Sequence, residues 1–537
     1  MQLLEAGRTK KYLTWGALVW LMGLGLFIRV HGLYEYYYSP DEAIELLTSG
    51  QPTLDAMWQI GSQEPHPPLW YVVQHFMLKA SPEPLFLRSF SLVPSALLIP
   101  VFFLLGRRAL GTAAGLTMAG IAVFGYGGIL ISQVMRAYPL AVLAQSVGLL
   151  FFLSLVEAPR FRARIGFAVA VLLAFSTIYI QAIVIAAVYA VWLSSLAWRR
   201  RPPSDFVKAL LTGLPAAGGL AFHYFIHLRR FFATPRFADP IEDWVSPYFF
   251  TDLRGLAANF HDLFGYLFLP PVAVPALLLT ILGLGVLWRR SRRELVLVFL
   301  LVLGFNLALT AAGKFPFGGC RHNFHFFPFA ALAVGAAVQA GWRKLLDRLP
   351  PERRPAAPVL AVLSAVILSL ALTGYYSRSD YLRRYDADSW RELPLKVRDY
   401  REGMGVLDAR VRAGDLIFAS YQTILYLRLE SGGAGGPVAA NLGRFQRRGR
   451  DWHYPLRDGV AKVWDMPAAE AVRRSVHDLA VISRLRPDRS VWVVNFGWKG
   501  KIDWMTSDPF WSVRVKGIFE RPGVGIYRAP ASLLFRP

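Results

Sequence analysis

Residues 12–30 read YLTWGALVWLMGLGLFIRV, an apolar run in which Arg29 is the single charged residue. A helix that spans a membrane needs about 20 mostly apolar residues, so this run is long enough to cross one. Lys10 and Lys11 precede it, and no cleavage site with small residues follows it. We therefore predict an uncleaved first transmembrane helix that enters from the cytoplasm.

Further runs of the same kind follow along the chain and bring the predicted number of transmembrane helices to about eleven. The apolar stretch 165–198 is too long for one span, and we expect it to turn at 177–181 and form a hairpin. The further spans are predicted at 88–106, 112–131, 138–156, 165–179, 181–198, 205–228, 263–288, 294–312, 323–341 and 357–375.

Basic residues are distributed unequally between the loops that join these spans. With the N-terminus inside, every arginine-rich short loop lies on the cytoplasmic side. Residues 31–85, on the outside, contain Lys79 as their single lysine or arginine. This asymmetry orients membrane proteins, and it places the segment from about Tyr376 outside. The cytoplasmic clusters are Arg107-Arg108, Arg160/Arg162/Arg164, Arg199-Arg200-Arg201, Arg289-Arg290/Arg292-Arg293 and the basic residues from Arg343-Lys344 to Arg353-Arg354.

The composition agrees with a multi-pass membrane protein, which we expect in the inner (plasma) membrane. Of the 537 residues, 54% are hydrophobic, and the mean hydropathy is +0.36. The net charge of +23 is explained by the cytoplasmic loops, and without a zinc-knuckle spacing or a basic stripe among aromatics we expect no nucleic-acid partner. The single cysteine, Cys320, excludes an internal disulfide and a metal site built from several cysteines.

The C-terminal segment 376–537 has a different pattern. Short strand-like runs occur at 416–419, 491–494 and 525–527, and a helical stretch is predicted at 467–484. Strands that alternate with helices predict an extracytoplasmic α/β domain. The glycine-rich stretch 431–436 does not join a strand to a helix, so we interpret it as a loop and not as a nucleotide site. The domains are thus 1–375, with a large first outer loop at 31–87, and 376–537.

Two groups of polar residues in the first outer loop could carry chemistry. Asp41 and Glu42 follow Ser39-Pro40, a pattern that is typical of a capped helix start but that also fixes a carboxylate in place. Glu64 and His66 precede Pro67-Pro68, where the prolines predict a rigid turn before a helix that begins near Pro68. Glu64 and His66 could bind a metal or polarise a hydroxyl, or belong only to the turn.

The order of these motifs, Asp41-Glu42 and then His66-Pro67-Pro68-Leu69 in one outer loop, resembles a known family. The chain is similar to the GT-C fold glycosyltransferases that use polyprenyl-phosphate sugars. The nearest branch is the bacterial one related to protein O-mannosyltransferases and the lipid A aminoarabinose transferase. The latter has a glutamate and a lysine directly before two prolines, and here His66 stands in place of that lysine and Glu64 is displaced by one residue.

The resemblance implies an inverting transfer of a sugar from an isoprenoid phosphate. Asp41 matches the first acid of the family's acidic pair and is the expected general base, with Glu42 as its orienting or acceptor-contacting neighbour. Arg136 lies two residues before Tyr138, as an arginine does in the family, and is expected at the donor phosphate. Glu64 and His66 are expected to position substrate.

Two further outside cations, Lys314 and Arg321, flank 315–320 and are also expected at the phosphate, because guanidinium forks and ammonium groups suit phosphate oxygens. Cations at helix ends also extend to lipid headgroups without any function, and this alternative stays open for them and for Arg136. The neighbouring His322 and His325 could be metal ligands, but no third ligand is evident. The residues allow a divalent metal without requiring one, and they identify no cofactor.

The outer loop 229–262 contains Glu242, Trp244, Tyr248 and His261 among its polar and aromatic residues. Such residues could line a sugar site, but an aromatic belt at the membrane interface is the favoured interpretation for Trp244 and Tyr248.

We therefore expect a hexosyl or pentosyl transferase. Its partners would be a polyprenyl-phosphate-sugar donor, a glycan, lipid or protein acceptor, and membrane lipids. A polysaccharide ligase and a transporter or flippase of lipid-linked sugars are the alternatives. A transporter would need charges at mid-membrane and broken helices in matching positions, whereas the polar residues here are concentrated in the outer loops.

Overall fold

A computed structural model of the chain describes sixteen stretches of the sequence, and these fall into two compact units. The helical unit comprises Met1–His31, Ser62–Trp70 and Arg88–Ser379, and the sheet unit comprises Gly32–Gly61, Tyr71–Leu87 and Asp380–Pro537. The described residues are 2–33, 38–62, 64–232, 248–250, 252–350, 356–378, 396–412, 415–419, 423, 426–427, 447–448, 451–456, 459–465, 490–496, 516–521 and 524–530.

Most of the described chain is helical. The helices are α1 (Gln2–Val30), α2 (Pro40–Ser49), α3 (Leu54–Gly61), α4 (Pro68–Ala80), α5 (Pro84–Ala109), α6 (Thr112–Phe124), α7 (Tyr126–Ser132), α8 (Tyr138–Glu157), α9 (Phe161–Thr177), α10 (Gln181–Trp198), α11 (Pro203–His223), α12 (Arg229–Phe232), α13 (Leu253–Leu267), α14 (Ala273–Arg289), α15 (Arg293–Ala311), α16 (Phe327–Arg348), α17 (Ala356–Arg378) and α18 (Val397–Arg410). A π-helical turn, Tyr224–Leu228, joins α11 to α12, and 3-10 turns, Pro270–Val272 and Arg321–Phe326, lead into α14 and α16.

The chain is a multi-pass helical membrane protein. Among the described residues, eight helices are long and apolar enough to cross a membrane, and the bent pair α6–α7 makes a ninth. The other two predicted spans are also helices, α9 with 17 residues and α17 with 23. Leu214, Phe222 and Leu282 are each 60–63% exposed. Such exposure disfavours water as the solvent, since burying apolar surface contributes roughly 25 cal/mol per Å², whereas lipid tails accept these side chains.

The predicted hairpin in 165–198 is confirmed. The helix α9 ends at Thr177 and α10 begins at Gln181, with Tyr179 in the turn between them. The Thr177 hydroxyl donates to the carbonyls of Leu173 and Ala174, which provides these end-of-helix carbonyls with a partner.

The predicted span 112–131 is broken at Gly125, where α6 and α7 meet at an angle of 52°. The break exposes carbonyls that a continuous helix would bond internally, and polar groups from other helices bind them. Arg29, fully buried, donates to the carbonyls of Ala122 and Val123 at 2.6 and 3.3 Å, and the Tyr376 hydroxyl donates to that of Phe124 at 2.7 Å. Arg29 thus holds the break in place.

The span predicted over 263–288 is confirmed, but it begins later than expected, at Pro270. The apolar run is divided between α13, which ends at Leu267, and the span Pro270–Arg289. Pro270 and Pro271 cause this, because a proline inside a helix lacks the N–H that the previous turn needs and clashes with its carbonyl.

The sheet unit contains a seven-stranded mixed sheet of order β2-β3-β4-β1-β5-β7-β6, which confirms the α/β prediction for the C-terminal segment. The central strand β1 pairs in parallel with β4 and β5, and all other pairs are antiparallel. The strands are β1 (Leu416–Ala419), β2 (Arg447–Arg448), β3 (Asp451–Leu456), β4 (Gly459–Asp465), β5 (Ser490–Phe496), β6 (Lys516–Arg521) and β7 (Val524–Pro530).

The core of this unit lies where α18 meets the sheet. Trp492 and Phe496 of β5 are fully buried, and the Tyr400 ring of α18 packs against Phe496 with centroids 5.3 Å apart. The buried Asp415 carboxylate accepts from the Ser490 N–H and the Trp492 indole N–H. All three predicted strand runs lie within β1, β5 and β7, whereas the predicted helix 467–484 and the glycine-rich loop 431–436 lie outside the described residues.

Candidate active site

The turn before α4 sets the position of His66. The helix α4 begins at Pro68, as predicted, and the Trp70 N–H donates to the Pro67 carbonyl. Pro67 and Pro68 are buried, and the Trp70 ring packs on Phe90 of α5 at 4.9 Å. Two fixed φ angles and a buried tryptophan therefore anchor the chain directly after His66. Glu64, two residues before it, is half-buried.

Arg136 lies in the short connection between α7 and α8 and is 5% exposed. Its backbone is fixed by Ser91 of α5, whose hydroxyl accepts from the Arg136 N–H at 2.9 Å and donates to the Arg136 carbonyl at 2.8 Å. Ser91 thus provides hydrogen-bond partners for both backbone groups of Arg136, which lies outside any helix. This fixes the backbone position from which the Arg136 side chain extends.

The structure brings His66 and Arg136 together. Nη1 of Arg136 lies 3.0 Å from Nε2 of His66. An arginine side chain has donors and no acceptor, so Nε2 must accept and the ring proton must reside on Nδ1. His66 is therefore neutral in this arrangement, and the contact holds the Arg136 guanidinium at the turn before α4.

Aromatic rings surround this contact. Tyr138, 3% exposed, presents its ring edge-on to His66 at 6.3 Å between centroids and to His322 at 5.9 Å. The ring of Phe315 meets His322 at 6.1 Å. We refer to His66, Arg136, Tyr138 and His322 as the His66–Arg136 cluster. Its members come from the turn before α4, from the connection that leads into α8 and the first residue of α8, and from the 3-10 turn before α16.

The loop that carries Lys314 and Arg321 is held by a buried asparagine. The Asn323 amide donates to the carbonyls of Pro316 and Gly318 and accepts from Asn306 of α15. Lys314 itself is exposed, and Arg321 is half-buried at the start of the 3-10 turn. Lys314 follows the C-terminus of α15, where the helix dipole stabilises a positive charge.

Burial raises the pKa of the Cys320 thiol in this loop to about 11. The thiol is 4% exposed and receives a contact from the Asn323 amide at 3.2 Å. A neutral, buried thiol is a weak nucleophile, so Cys320 contributes packing to this loop and not reactivity.

The acidic pair lies at the start of α2, in the sheet unit. Ser39 is the N-cap, and a capping box joins it to Glu42: the Glu42 N–H donates to the Ser39 hydroxyl, and the Ser39 N–H donates to Glu42 Oε2 at 2.8 Å. Glu42 is 1% exposed, whereas Asp41 is half-buried. The capped helix start foreseen from the sequence is confirmed, and Glu42 contributes to it directly.

A buried polar group one turn along α2 was not predicted from the sequence. Glu45 is 1% exposed, and its Oε2 accepts from the Gln74 amide of α4 at 3.3 Å. Gln74 in turn accepts from the Ser49 hydroxyl at 3.1 Å, and His75 Nδ1 lies 2.8 Å from the Ser49 carbonyl. Helical spacing could have revealed Glu45, since residues four apart lie on the same face as Asp41.

Several other expectations have a plain structural outcome. The Tyr248 carbonyl accepts from the Phe317 N–H, in the loop 315–320, and from the Asn259 amide. Glu242 and Trp244 lie outside the described residues. His325 is 2% exposed, and its Nδ1 lies 3.0 Å from the His322 carbonyl. Among the described residues, no three His, Cys, Asp or Glu side chains are grouped closely enough to hold a metal ion.

No protein-family model and no curated protein matches this chain. Several solved structures do match this chain. ArnT from Cupriavidus metallidurans bound to undecaprenyl phosphate matches with 13% identity over 96% of this chain and 98% of that chain, at a TM-score of 0.48. The Archaeoglobus fulgidus oligosaccharyltransferase tethered with an acceptor peptide matches with 13% identity over 80% of this chain and 63% of that chain, at a TM-score of 0.43. The chain is similar to these GT-C glycosyltransferases.

Proposed function

We propose that this protein is an inverting membrane glycosyltransferase that moves a monosaccharide from a polyprenyl-phosphate donor to an acceptor hydroxyl on the extracytoplasmic side. The observation that carries the proposal is the 3.0 Å contact between His66 Nε2 and Arg136 Nη1. It joins two motifs, His66-Pro67-Pro68 and Arg136-Ala137-Tyr138, that each resemble the family separately and lie 70 residues apart.

In this proposal Arg136 binds the phosphate of the donor. A guanidinium can contact two phosphate oxygens at once, and such charge-assisted bonds are about twice as strong as neutral ones. Arg136 is buried and anchored by Ser91, so its position costs little reorganisation when charge develops on the leaving phosphate. Tyr138, Lys314 and Arg321 complete the phosphate site, with His66 and Glu64 positioning the substrate beside it.

Asp41 is the proposed general base. It removes the proton of the acceptor hydroxyl as that oxygen forms a bond to the anomeric carbon. The bond between the anomeric carbon and the phosphate oxygen breaks on the opposite face, and the polyprenyl phosphate leaves with the electron pair. The capping box suits this role. Ser39 and Glu42 are the two capping side chains that fix the start of α2, and Asp41 lies between them in the sequence without being a capping side chain.

The pattern of helix breaks in the helical unit favours this proposal over a transporter. A transporter built from inverted repeats would have broken helices in matching positions. In the described part of the chain, α6–α7 is the one helix pair with a sharp break, and the buried Arg29 beside it bonds carbonyls of that break.

The test is the release of free polyprenyl phosphate from a panel of polyprenyl-phosphate sugars, in the presence of envelope glycans, lipids and proteins as acceptors. We expect release by the wild-type protein and a loss of at least roughly a hundredfold in Asp41→Asn, within the range for a general base. Asp55→Asn is a matched control, because Asp55 lies in the first turn of α3 and is exposed.

Arg136→Lys separates the phosphate site from the base. It keeps the charge but loses the fork, so we expect a lower rate without loss of folding. Release that is equal in the wild type, Asp41→Asn and Arg136→Lys would contradict the assigned residues. Binding of polyprenyl phosphate without release from any donor would instead favour the ligase or the transporter.

A further inference from the structure

A cavity of about 190 Å³ lies in the helical unit at the ends of α5, α14 and α16. Three arginines line it, Arg290 and Arg292 from the turn after α14 and Arg343 from α16. By the charge asymmetry of the loops, this end of the helices is the predicted cytoplasmic one. Within the helical unit, the cavity lies at the C-terminus of α5, whereas Ser91, which holds Arg136, lies near the beginning of α5.

Backbone carbonyls fix two of the three guanidiniums. Arg292 Nε donates to the Ala109 carbonyl at 3.2 Å, and Arg343 Nη2 lies 3.5 Å from the Leu110 carbonyl. These carbonyls end α5, where a helix leaves acceptors without internal donors. The arrangement holds the positive charges at the cavity before any ligand binds, and this lowers the entropic cost of binding.

The local positive charge is only partly balanced. Glu157 pairs with Arg292 at 2.8 Å, but it also pairs with Arg108 outside the cavity. Within the described ranges, Arg290 and Arg343 have no carboxylate within 4.0 Å. The cavity therefore has a net positive lining and matches an anion.

The helix α6 begins at the same place. Its N-cap, Gly111, has a φ of +127°, a conformation that favours glycine. The Ala114 N–H donates to Oε1 of Gln339, another residue that lines the cavity. The positive end of the α6 dipole thus adds to the arginine charges.

We infer that this cavity binds the phosphate headgroup of an anionic phospholipid of the cytoplasmic leaflet. Val286 and Ala340 line the cavity beside the arginines, and both are apolar and half-buried. A basic cavity whose lining also includes apolar side chains suits a ligand with a charged head and acyl chains. A soluble phosphate would use only the charged part of this surface.

The experiment measures lipid binding to the purified, delipidated full-length protein by native mass spectrometry. The probes are phosphatidylglycerol, phosphatidylcholine and inorganic phosphate. We expect phosphatidylglycerol to bind more tightly than phosphatidylcholine. The double variant Arg290→Gln/Arg343→Gln should weaken phosphatidylglycerol binding by roughly tenfold or more, because each basic residue near an anionic lipid contributes to binding.

Two further variants make the test specific. Arg289→Gln/Arg293→Gln removes the same charge from exposed residues that do not line the cavity, and it should leave binding nearly unchanged. Ala340→Phe fills the cavity without altering charge, and it should weaken binding although every arginine remains. If the arginine variant does not fold, lipid binding by Ala340→Phe still tests whether the cavity is the site.

Equal losses in both arginine variants, or undiminished binding in Ala340→Phe, would overturn the cavity as the site. Displacement of the lipid by inorganic phosphate at similar concentrations would show a soluble-anion site and overturn the lipid proposal. The readout is lipid binding alone, so it does not depend on the transferase proposal.

Discussion

His66 provides the buried Arg136 guanidinium with an acceptor, and this pairing can be tested at the level of one side chain. Losing a hydrogen bond to a charged group costs about 1.5–3 kcal/mol, so His66→Phe should lower the melting temperature. Because Arg136 would also lose its orientation, polyprenyl-phosphate release should fall by roughly tenfold or more.

His66→Gln is the informative control for this prediction, because its amide oxygen can accept the same hydrogen bond. It should retain more stability and more activity than His66→Phe when both are measured by thermal unfolding and by phosphate release. Equal effects of the two substitutions would show that the ring shape of His66 matters and that the bond to Arg136 does not.

Cys320 gives a prediction that depends on pH. Because its pKa is about 11, the folded-state thiol is neutral at pH 7–8, and only a small fraction is the reactive thiolate. A maleimide should therefore modify the native protein slowly at pH 7.5, faster as the pH rises toward 11, and quickly after unfolding at any of these pH values. Fast labelling of the native protein at pH 7.5, monitored by intact mass, would contradict the burial of this side chain.

The sequence identified single candidate residues of the site, but not their contacts. His66, Arg136 and Tyr138 were candidates because their motifs resemble those of a known family, and their roles stay predictions. Ser91 was missed, because a serine in an apolar helix gives no local sign that it binds a backbone 45 residues away. One sequence contains no information on such pairings, and they required the fold.

At the scale of helices, Gly125 makes the break between α6 and α7 possible. A Cβ atom at this position would approach the Ile121 carbonyl and the Phe327 ring to 2.7 Å and the Leu267 carbonyl to 2.9 Å. Two of these three atoms are backbone oxygens that cannot move without shifting a helix. We therefore expect Gly125→Ala to destabilise the protein by about 1–3 kcal/mol, the usual cost of overpacking, measured as a lower melting temperature.

Gly120 is the matched control for this substitution, since it lies in α6 and a Cβ there would meet nothing within 4 Å. Alanine is the better helix former by up to about 1 kcal/mol, so Gly120→Ala should be neutral or slightly stabilising. If Gly125→Ala unfolds at the same temperature as Gly120→Ala, the close approach of the three helices at the break is not as described.

Helices with strong hydropathy were predictable, and breaks within them were less so. Gly125 lies in a continuous apolar run, and glycine alone does not distinguish a bend from a close helix contact. Pro270 and Pro271 did give a readable signal, and the predicted start of the span at 263 was too early because apolar length was given more weight than the two prolines. The hairpin of α9 and α10 was correct because total length excluded a single span.

At the scale of the whole chain, the charge asymmetry predicts where each end of the helices lies. The short loops rich in arginine would be cytoplasmic, and the candidate active-site loops and the C-terminal sheet would lie outside. This orientation remains a prediction, and both proposals depend on it: the transferase site needs the extracytoplasmic side, and the lipid cavity the cytoplasmic leaflet.

The unreactive Cys320 makes this orientation directly testable, because introduced cysteines can be labelled without removing it first. Ser204, Ala312 and Ala409 are all exposed. Ser204 lies in a predicted cytoplasmic loop, Ala312 directly follows α15 at the predicted outer end of its span, and Ala409 lies in the sheet unit. In intact spheroplasts, a membrane-impermeant maleimide should label Ala312→Cys and Ala409→Cys, and it should label Ser204→Cys only after permeabilisation. Wild-type protein should remain unlabelled in both conditions. The reverse pattern would place the His66–Arg136 cluster in the cytoplasm, where the proposed acceptors of the cell envelope are absent, and would require a cytoplasmic acceptor for the same chemistry.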